Sequence, residues 1–423
     1  MKILWVKANK LLPLHSGGDI RSYHIARHLA SRHELSFFSY YDGAPDTEYE
    51  ARLGEEFSGA CSVCTGKSQS VGARALDYVL RVADPVPYAV SRFKSPIVQK
   101  KLHELLSQQH FDVAICDFLD AVINFPPSSP TPTVLFQHNV ESEIWRRYAE
   151  TEKNVVKRSI YSVEFRKMLD YEKSMVQKFQ HVIAVSEHDR QLMSAWMDAS
   201  RISVVPTGVD LRNYQPVAAN QPTPEEQSLV LFTGAMDWEP NIDAVEYFCQ
   251  EIWPSVLTEL PEARFRIVGR NPDRRVMRFT GGSVEVTGRV PSVIEHLREA
   301  AVVVVPLRIG GGTRLKIYEA MAAGKAVVST SVGAEGLDVH HGRDIVLADS
   351  PQAVADWTVK LLKDRELRKS YERSAAELAS GYDWPAVGEK FETLLEKISG
   401  LETRWPAQRF ATAAAQPVDG PTV

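Results

Sequence analysis

Cysteine is scarce in this sequence: Cys61, Cys64, Cys116 and Cys249 are the four in 423 residues. That is too few for a disulfide framework and fits a reducing compartment. Cys61 and Cys64 make a lone CxxC, without a second pair or nearby histidines at ligand spacing, so the pair reads as incidental rather than as a zinc or redox site. Long apolar runs are also missing. The longest, Ala300–Leu307, spans about eight residues, whereas a bilayer-spanning helix needs about twenty. No secretory signal is recognisable, because the amino-terminal run Ile3–Val6 is short enough to be a first buried strand. Charge of one sign is not in excess either. The formal net charge is -5, which gives no overall positive field for nucleic acid.

What is present is the material of a large globular chain, with 44% hydrophobic and 24% charged residues. At this length two domains of roughly 200 residues each are expected. Short Val/Ile-rich runs alternate with amphipathic stretches, the pattern of parallel sheets with crossover helices. The first half offers strands at 3–6, 35–38, 113–116, 133–136, 181–185 and 203–205; the second at 229–232, 264–268, 284–287, 302–305 and 326–329. Between them, 211–227 carries Pro216, Pro222 and Pro224 and reads as a linker. The expectation is therefore an α/β protein of two Rossmann-like, doubly wound domains facing across a cleft. They would span residues 1–210 and 228–380, with a helix at about 384–400 returning to the first domain. Residues 401–423, rich in Pro, Ala, Gly and Thr, read as a poorly ordered tail. Ligands of such sheets bind beyond the carboxyl ends of the strands, which places the site in the cleft.

The segment richest in chemistry follows the strand at 302–305. Gly310, Gly311 and Gly312 let backbone N–H groups approach a ligand closely, and Thr313 is a candidate cap for the helix that follows. The helix N-terminus favours an anion, in particular a diphosphate. Arg308, Arg314 and Lys316 add full positive charges, and Glu319 could accept hydrogen bonds from ribose hydroxyls. The bland alternative is a glycine-rich turn with surface charges. In the first half, Gly17 and Gly18 sit between the first strand and a helix that Ser16 or Asp19 could cap. They do not form the dinucleotide fingerprint. His138 directly follows a strand, where a near-neutral imidazole suits proton transfer or hydrogen bonding to hydroxyls, with Asn139 and Glu141 in support. Glu187 and His188 follow another strand and either cap the next helix or line the acceptor side. Asp237 and Asn241 are candidates for donor contact or capping, and Gly269–Arg270 and Gly288–Arg289 for turns beside a base.

The stretch GGGTRLKIYEAMAAGKAVVSTSVGAEGL resembles the nucleotide-sugar signature of glycosyltransferase family 4, also called glycosyl transferases group 1. The resemblance continues, in the family's order, through GGDIRSYHIARHLA, SEHDR, VVPTGVD, GAMDWEPNIDAVEYF, IVGRNP and YDW, and so covers about residues 1–400. It implies a retaining GT-B enzyme that moves a sugar from a nucleotide-diphosphate donor, of UDP or GDP type, to a glycan or lipid-linked acceptor in polysaccharide or glycolipid assembly. It implies a reaction centre near Gly17–Gly18 and His138, and a ribose contact at Glu319, the second glutamate of the family's E-x7-E motif. The first glutamate's position is Gly311, a departure that puts contacts to the donor sugar in question. A second departure is the stretch Gly234–Asn241, which lacks the family's basic pair; Arg308, Arg314 and Lys316 are expected to replace that charge. No Asp-x-Asp occurs, which argues for neutralisation of phosphate without a metal ion or other cofactor. Alternatives left open are a sugar-nucleotide epimerase or phosphorylase, and a catalytically silent nucleotide-sugar-binding protein.

A helix over 152–179 carries seven basic residues, Lys153, Lys157, Arg158, Arg166, Lys167, Lys173 and Lys178, against four acidic ones. It reads either as a solvated face or as a peripheral contact with an anionic membrane surface. The expected location is cytoplasmic, with that contact at the inner face of the membrane.

Overall fold

The computed structural model describes residues 1–14, 16–67, 70–81, 83–126, 128–214, 228–310 and 313–400. Most of the expected linker, the whole of the 401–423 tail, and Gly311 and Gly312 lie outside these residues.

The first half forms a seven-stranded parallel sheet in the order β3-β2-β1-β4-β5-β6-β7. Its strands are β1 Lys2–Ala8, β2 Glu34–Tyr41, β3 Cys61–Cys64, β4 Val113–Asp117, β5 Thr133–Phe136, β6 His181–Ala184 and β7 Ile202–Val204. The second half forms a six-stranded parallel sheet, β10-β9-β8-β11-β12-β13. Its strands are β8 Leu229–Thr233, β9 Arg264–Val268, β10 Val284–Gly288, β11 Val302–Val305, β12 Ala326–Ser329 and β13 Val346–Leu347. The central strands are buried along their whole length, because helices cover both faces.

Two strands escape the sequence reading. β13 has two residues, too few to show a period. β3 is the CSVC segment itself. Residues three apart in a strand point to opposite faces, so Cys61 and Cys64 do not converge, and all four cysteines are free.

In each sheet the strand order reverses at the centre, between β1 and β4 and between β8 and β11. Loops leaving the carboxyl ends of those strands diverge to opposite faces and open a crevice. The helix Trp384–Ile398 crosses back to the first sheet. Phe391 packs against Trp5, with ring centroids 6.0 Å apart, and against Phe136 at 5.1 Å. Glu392 is held there by His28 at 3.0 Å and Arg32 at 2.9 Å. Trp384 stacks on His24 at 4.7 Å and leaves no room for a Cβ at Gly208, which would lie 2.6 Å from its ring.

Candidate functional site

On the first sheet the switch point holds a buried, hydrogen-bonded polar cluster. Asp117 ends β4 and is 1% exposed. Its carboxylate accepts hydrogen bonds from Trp5 Nε1 at 3.0 Å and His138 Nε2 at 2.6 Å, and it faces Lys7 Nζ at 3.5 Å. Burial alone would raise its pKa, but Lys7 and His138 overcome that and hold it well below the ordinary carboxylate range. Lys7 comes from the middle of β1 and also reaches Asp19 at 3.4 Å. Asp19 in turn belongs to the cap of the Gly17–Ala30 helix, where Ser16 accepts from the Asp19 N–H and Asp19 reaches back to Ser16.

His138 sits at the centre. Arg21 Nη1 donates to its Nδ1 at 2.8 Å, so the ring proton lies on Nε2, which donates to Asp117. Burial, aided by Arg21 and Lys7 against the pull of Asp117, lowers its pKa to about 4. The ring is therefore neutral near pH 7, with both nitrogens engaged. What this geometry offers is orientation of Arg21 rather than a free ring nitrogen for proton transfer. Gly18 lies beside it, where an added Cβ would be 3.8 Å from Nδ1, and nothing lies within 4 Å of one at Gly17. The loop thus leaves open space in front of the cluster.

On the second sheet, β8 ends at Gly234. A Cβ there would stand 2.6 Å from Asn241 Nδ2 and 2.8 Å from Lys316 Nζ; at Gly269 it would stand 1.6 Å from the Gly234 carbonyl oxygen. Glycine at 234 and 269 is what allows Lys316 to enter. Lys316 Nζ donates to Asn241 Oδ1 at 2.8 Å and lies 4.3 Å over the Phe232 ring. Burial and then neighbouring Arg314 push its pKa down to about 7, against Glu319. Burial raises the Glu319 carboxyl, opposed by Lys316 and a hydrogen bond with Tyr214. Arg314 is 5% exposed and fills the space that a side chain at Gly310 would need, 2.3 Å from such a Cβ; Gly310 has φ 143. Burial lowers its pKa to about 10.

The two halves touch through arginines. Arg21 Nη2 donates to Thr313 Oγ1 at 2.9 Å, and Arg21 Nε to Thr207 at 3.3 Å. Arg147, from the Glu141–Thr151 helix, donates to the Gly310 carbonyl and pairs in a fork with Glu335 at 2.6 and 2.8 Å. His188 adds a 3.5 Å approach to Glu335. The glycine-rich turn is thus held at both described ends by the opposite domain.

The remaining expected residues divide. Thr313 does not cap the Leu315–Ala322 helix; its N-cap position is Arg314 with no side-chain cap bond, because the Thr313 hydroxyl is turned to Arg21. Arg308 is engaged by acidic neighbours. Its guanidinium pairs with Asp243 at 2.6 Å and Glu251 at 3.8 Å and lies 4.3 Å from the Tyr247 ring. Asp237 is tied to the turn after β9, accepting from Asn271 at 2.9 Å and lying 3.9 Å from Arg270. Glu187 is exposed and pairs with Arg190 at 2.5 Å, while Ser186 caps its helix. Asn139 faces the cleft wall, with a buried Oδ1 that meets no partner. Among the described residues, one grouping has metal-ligand spacing, His33, Glu392 and Glu396, and there Arg32 and His28 already hold Glu392.

Sequence reasoning missed Asp117, Lys7, Arg21, Arg147 and Glu335. A lysine inside an otherwise buried strand and an aspartate ending one were legible signals. Arg147 had none, since its partner lies 188 residues away.

Comparison with known proteins agrees with this architecture. Residues 15–213 match the family model described as glycosyltransferase family 4, and residues 227–364 that of glycosyl transferases group 1. The phosphatidyl-myo-inositol mannosyltransferase of Mycolicibacterium smegmatis is 25% identical over 337 residues, covering 77% of this chain and 82% of that protein. A D-inositol 3-phosphate glycosyltransferase of Corynebacterium urealyticum is 29% identical over 129 residues, 30% of each chain. Among solved structures, Anabaena HepE with UDP and glucose superposes with a TM-score of 0.63 at 16% identity, covering 94% of this chain and 100% of that one. The sucrose-phosphate synthase of Thermosynechococcus elongatus superposes at 0.68 with 15% identity, covering 95% and 100%.

Proposed function

From the premise that this chain is a glycosyltransferase of the two-domain GT-B architecture, we propose that it transfers a sugar from a nucleotide-diphosphate donor to a glycan or lipid-linked acceptor, with retention at the anomeric carbon. The observation that carries this reading is the hydrogen bond from Arg21, held by His138 beside Gly18, to Thr313 on the glycine-rich turn. It brings the carboxyl ends of both sheets to one place.

The diphosphate would lie at the 310–316 turn, neutralised by Arg314 and Lys316. These cations are in place before charge develops on the departing nucleotide, which is when they stabilise it most. Arg308 contributes little to that work, given its pairing with Asp243 and Glu251. Glu319, in the middle of the helix that follows, would take the ribose hydroxyls. On the other wall Arg21 stays fixed by His138 and Asp117. The test is a thermal-shift series with UDP, GDP and ADP and their sugars, followed by donor hydrolysis. A ligand bound by the native state raises Tm by mass action. No shift with any nucleotide would sink the reading. Conversion of the donor alone into an isomeric nucleotide sugar would favour an epimerase, and a Tm shift with no turnover a silent binder.

A lipid-linked acceptor is supported by a second observation. On the Val155–Val176 helix, Val155, Val156, Ile160 and Val163 are 63%, 70%, 41% and 48% exposed and lie on one side. Beside them Arg158 and Arg166, with Arg146 paired to Glu143 and Glu150 at 2.6 Å, line a groove of about 510 Å³ that Glu150 also borders. Apolar side chains within a basic frame suit the surface of an anionic bilayer. A relative is named for a phosphatidyl-linked acceptor. Flotation with anionic vesicles and not with neutral ones is expected, and equal recovery with both would remove membrane contact from the proposal.

A further inference from the structure

We propose that Arg147 and Glu335 are positioning residues for the transfer: their ion pair crosses the cleft and fixes the Gly310 peptide, so that the amino-terminal domain sets the shape of the donor turn. The proposal rests on the glycosyl-transfer reading above and deepens it by naming what holds that turn in its working form.

Glu335 stands on the turn that follows β12, and its own domain fixes that turn. Thr330 Oγ1 donates to the Leu307 carbonyl, and Ser329 Oγ to the Val305 carbonyl at 3.2 Å. The Gly333 N–H donates to Thr330 Oγ1 at 2.9 Å, and the Ala334 N–H to the Thr330 carbonyl at 3.1 Å. The Glu335 turn is thus knitted to the segment that leaves β11 and leads to Gly310. Gly310 itself, at φ 143, keeps the backbone freedom of glycine. Its carbonyl is held from the other domain: Arg147 donates to it while forking onto Glu335 at 2.6 and 2.8 Å. A guanidinium presents its donors in one rigid plane, so a single residue ties two turns of the opposite domain at fixed geometry.

Arg147 is in turn well founded. Its helix, Glu141–Thr151, starts on the Glu172 carboxylate, which accepts from the Glu141 N–H at 2.7 Å and the Ser142 N–H at 2.9 Å. Shape marks the same docking point independently of charge. Gly336 has φ 78, and a Cβ there would stand 2.9 Å from Ser186 Cβ and Oγ and 3.4 Å from Thr313 Cγ2. Ser186 caps the Glu187–Ser194 helix of the amino-terminal domain. The Glu335–Gly336 turn therefore seats between two helices of that domain, with an ion pair on one side and a backbone that only glycine brings so close on the other.

The charges around the pair make it costly to halve. Arg147 is 9% exposed. Glu335 favours the charged form of Arg314, and Arg147 disfavours it. On the other side Glu335 adds to the burial that raises the Asp189 carboxyl, and His188 Nε2 lies 3.5 Å from Glu335. Loss of Arg147 strips Glu335 of its fork while Asp189 still repels it; loss of Glu335 leaves Arg147 repelling Arg314. Either change weakens the seating of the turn. A diphosphate would still meet Arg314 and Lys316, so binding would survive. What would go is alignment with the opposite wall, and a misplacement of about 1 Å can cost on the order of 10²-fold in rate.

The test uses the full chain. Hydrolysis of UDP-glucose and GDP-mannose gives kcat and KM, Tm is read beside them, and small-angle scattering reports the separation of the domains. Arg147→Met and Glu335→Gln should each lower kcat by about tenfold or more, with KM moved by less than about threefold. Arg147→Met combined with Glu335→Met removes both charges, and replacing a buried pair in this way is often neutral or stabilising. Its Tm should match or exceed that of the wild type while kcat stays low, which separates lost positioning from a lost fold. Gly336→Ala keeps both charged residues and obstructs the seat against Ser186; it should lower kcat likewise. Wild-type kcat in either single variant, full recovery of kcat in the double one, or a loss carried by KM alone would overturn the proposal. Scattering needs no donor: Arg147→Met and Gly336→Ala should each show a larger radius of gyration than the wild type, and unchanged values in both would indict the clamp. A wild type that gains no Tm from UDP or GDP and hydrolyses neither sugar indicts the glycosyl-transfer reading instead.

Discussion

The two walls of the cleft solve opposite electrostatic problems. On the amino-terminal wall the central charges are paired with each other: Lys7 has Asp117 and Asp19, and Asp117 also holds His138, which accepts from Arg21. On the carboxy-terminal wall Lys316 is half-buried against Asn241 and the face of Phe232, and its pKa falls to about 7. The first arrangement offsets the burial of Asp117 with charges of its own domain. The second gathers Arg314 and Lys316 where burial disfavours their charge, and an anion beside them would favour it again. One wall orients and the other waits.

The comparison breaks most visibly at Asp117. Asp117→Asn keeps the shape but removes the charge that Lys7 and His138 face in a site from which water is excluded. Stripping one partner from such a buried cluster costs about 3–5 kcal/mol. Urea unfolding should register a loss of that order, with the denaturant slope unchanged. A loss below about 1 kcal/mol would mean that the amino-terminal cluster is no more committed to folding than the donor wall.

Lys316→Met should show the reverse pattern. Removing a buried cation that burial destabilises should leave Tm unchanged or raise it, while the loss of a charge aimed at the diphosphate should lower kcat/KM by about 10²–10³. Donor hydrolysis and thermal unfolding, measured on the same sample, check both halves of the statement. A variant that loses stability and keeps turnover would assign Lys316 to folding instead.

The pH dependence sharpens the same contrast. Without ligand, Lys316 titrates near 7, whereas beside a diphosphate its ammonium form is favoured. Binding of UDP above pH 7 must therefore take up a proton, and the affinity should fall by up to about tenfold per pH unit from roughly pH 7 upward. Calorimetry in two buffers of different ionisation enthalpy reads that proton directly. His138, already neutral with a pKa of about 4, contributes nothing over this range. In Lys316→Met the slope should vanish.

How much of this was legible in the sequence follows from the range of each interaction. The strands are local matters of apolar period and length, so the runs at 113–116 and 302–305 stand out. So do the glycines at 310 and 18, since a loop after a strand carries its own signature. What stayed hidden is what depends on distant partners. Arg147 is one arginine among many until Glu335 comes opposite it, and Arg21 sits in a helix whose sequence gives no hint of Thr313, 292 residues on. Thr313 was read as a helix cap because caps are local, but a tertiary partner took its hydroxyl. His138 was placed correctly at the end of β5, yet its protonation is set by Asp117 and Arg21, which no spacing rule connects.

Arg308 is the smallest test and the most discriminating one for the donor wall. Position and charge make it look like a phosphate ligand, standing two residues before Gly310. Its guanidinium instead forms a fork with Asp243 at 2.6 and 3.1 Å and lies against Tyr247, so its charge is already spoken for. An exposed pair of this kind is worth about 0.2–1 kcal/mol, and Arg308→Ala should cost no more than that in stability. Because the diphosphate would lie near Lys316 and Arg314, kcat/KM should change by less than about threefold. A loss approaching that of Lys316→Met would show that Arg308 leaves Asp243 when the donor arrives. The donor wall would then be rebuilt by its ligand, whereas the amino-terminal wall would not.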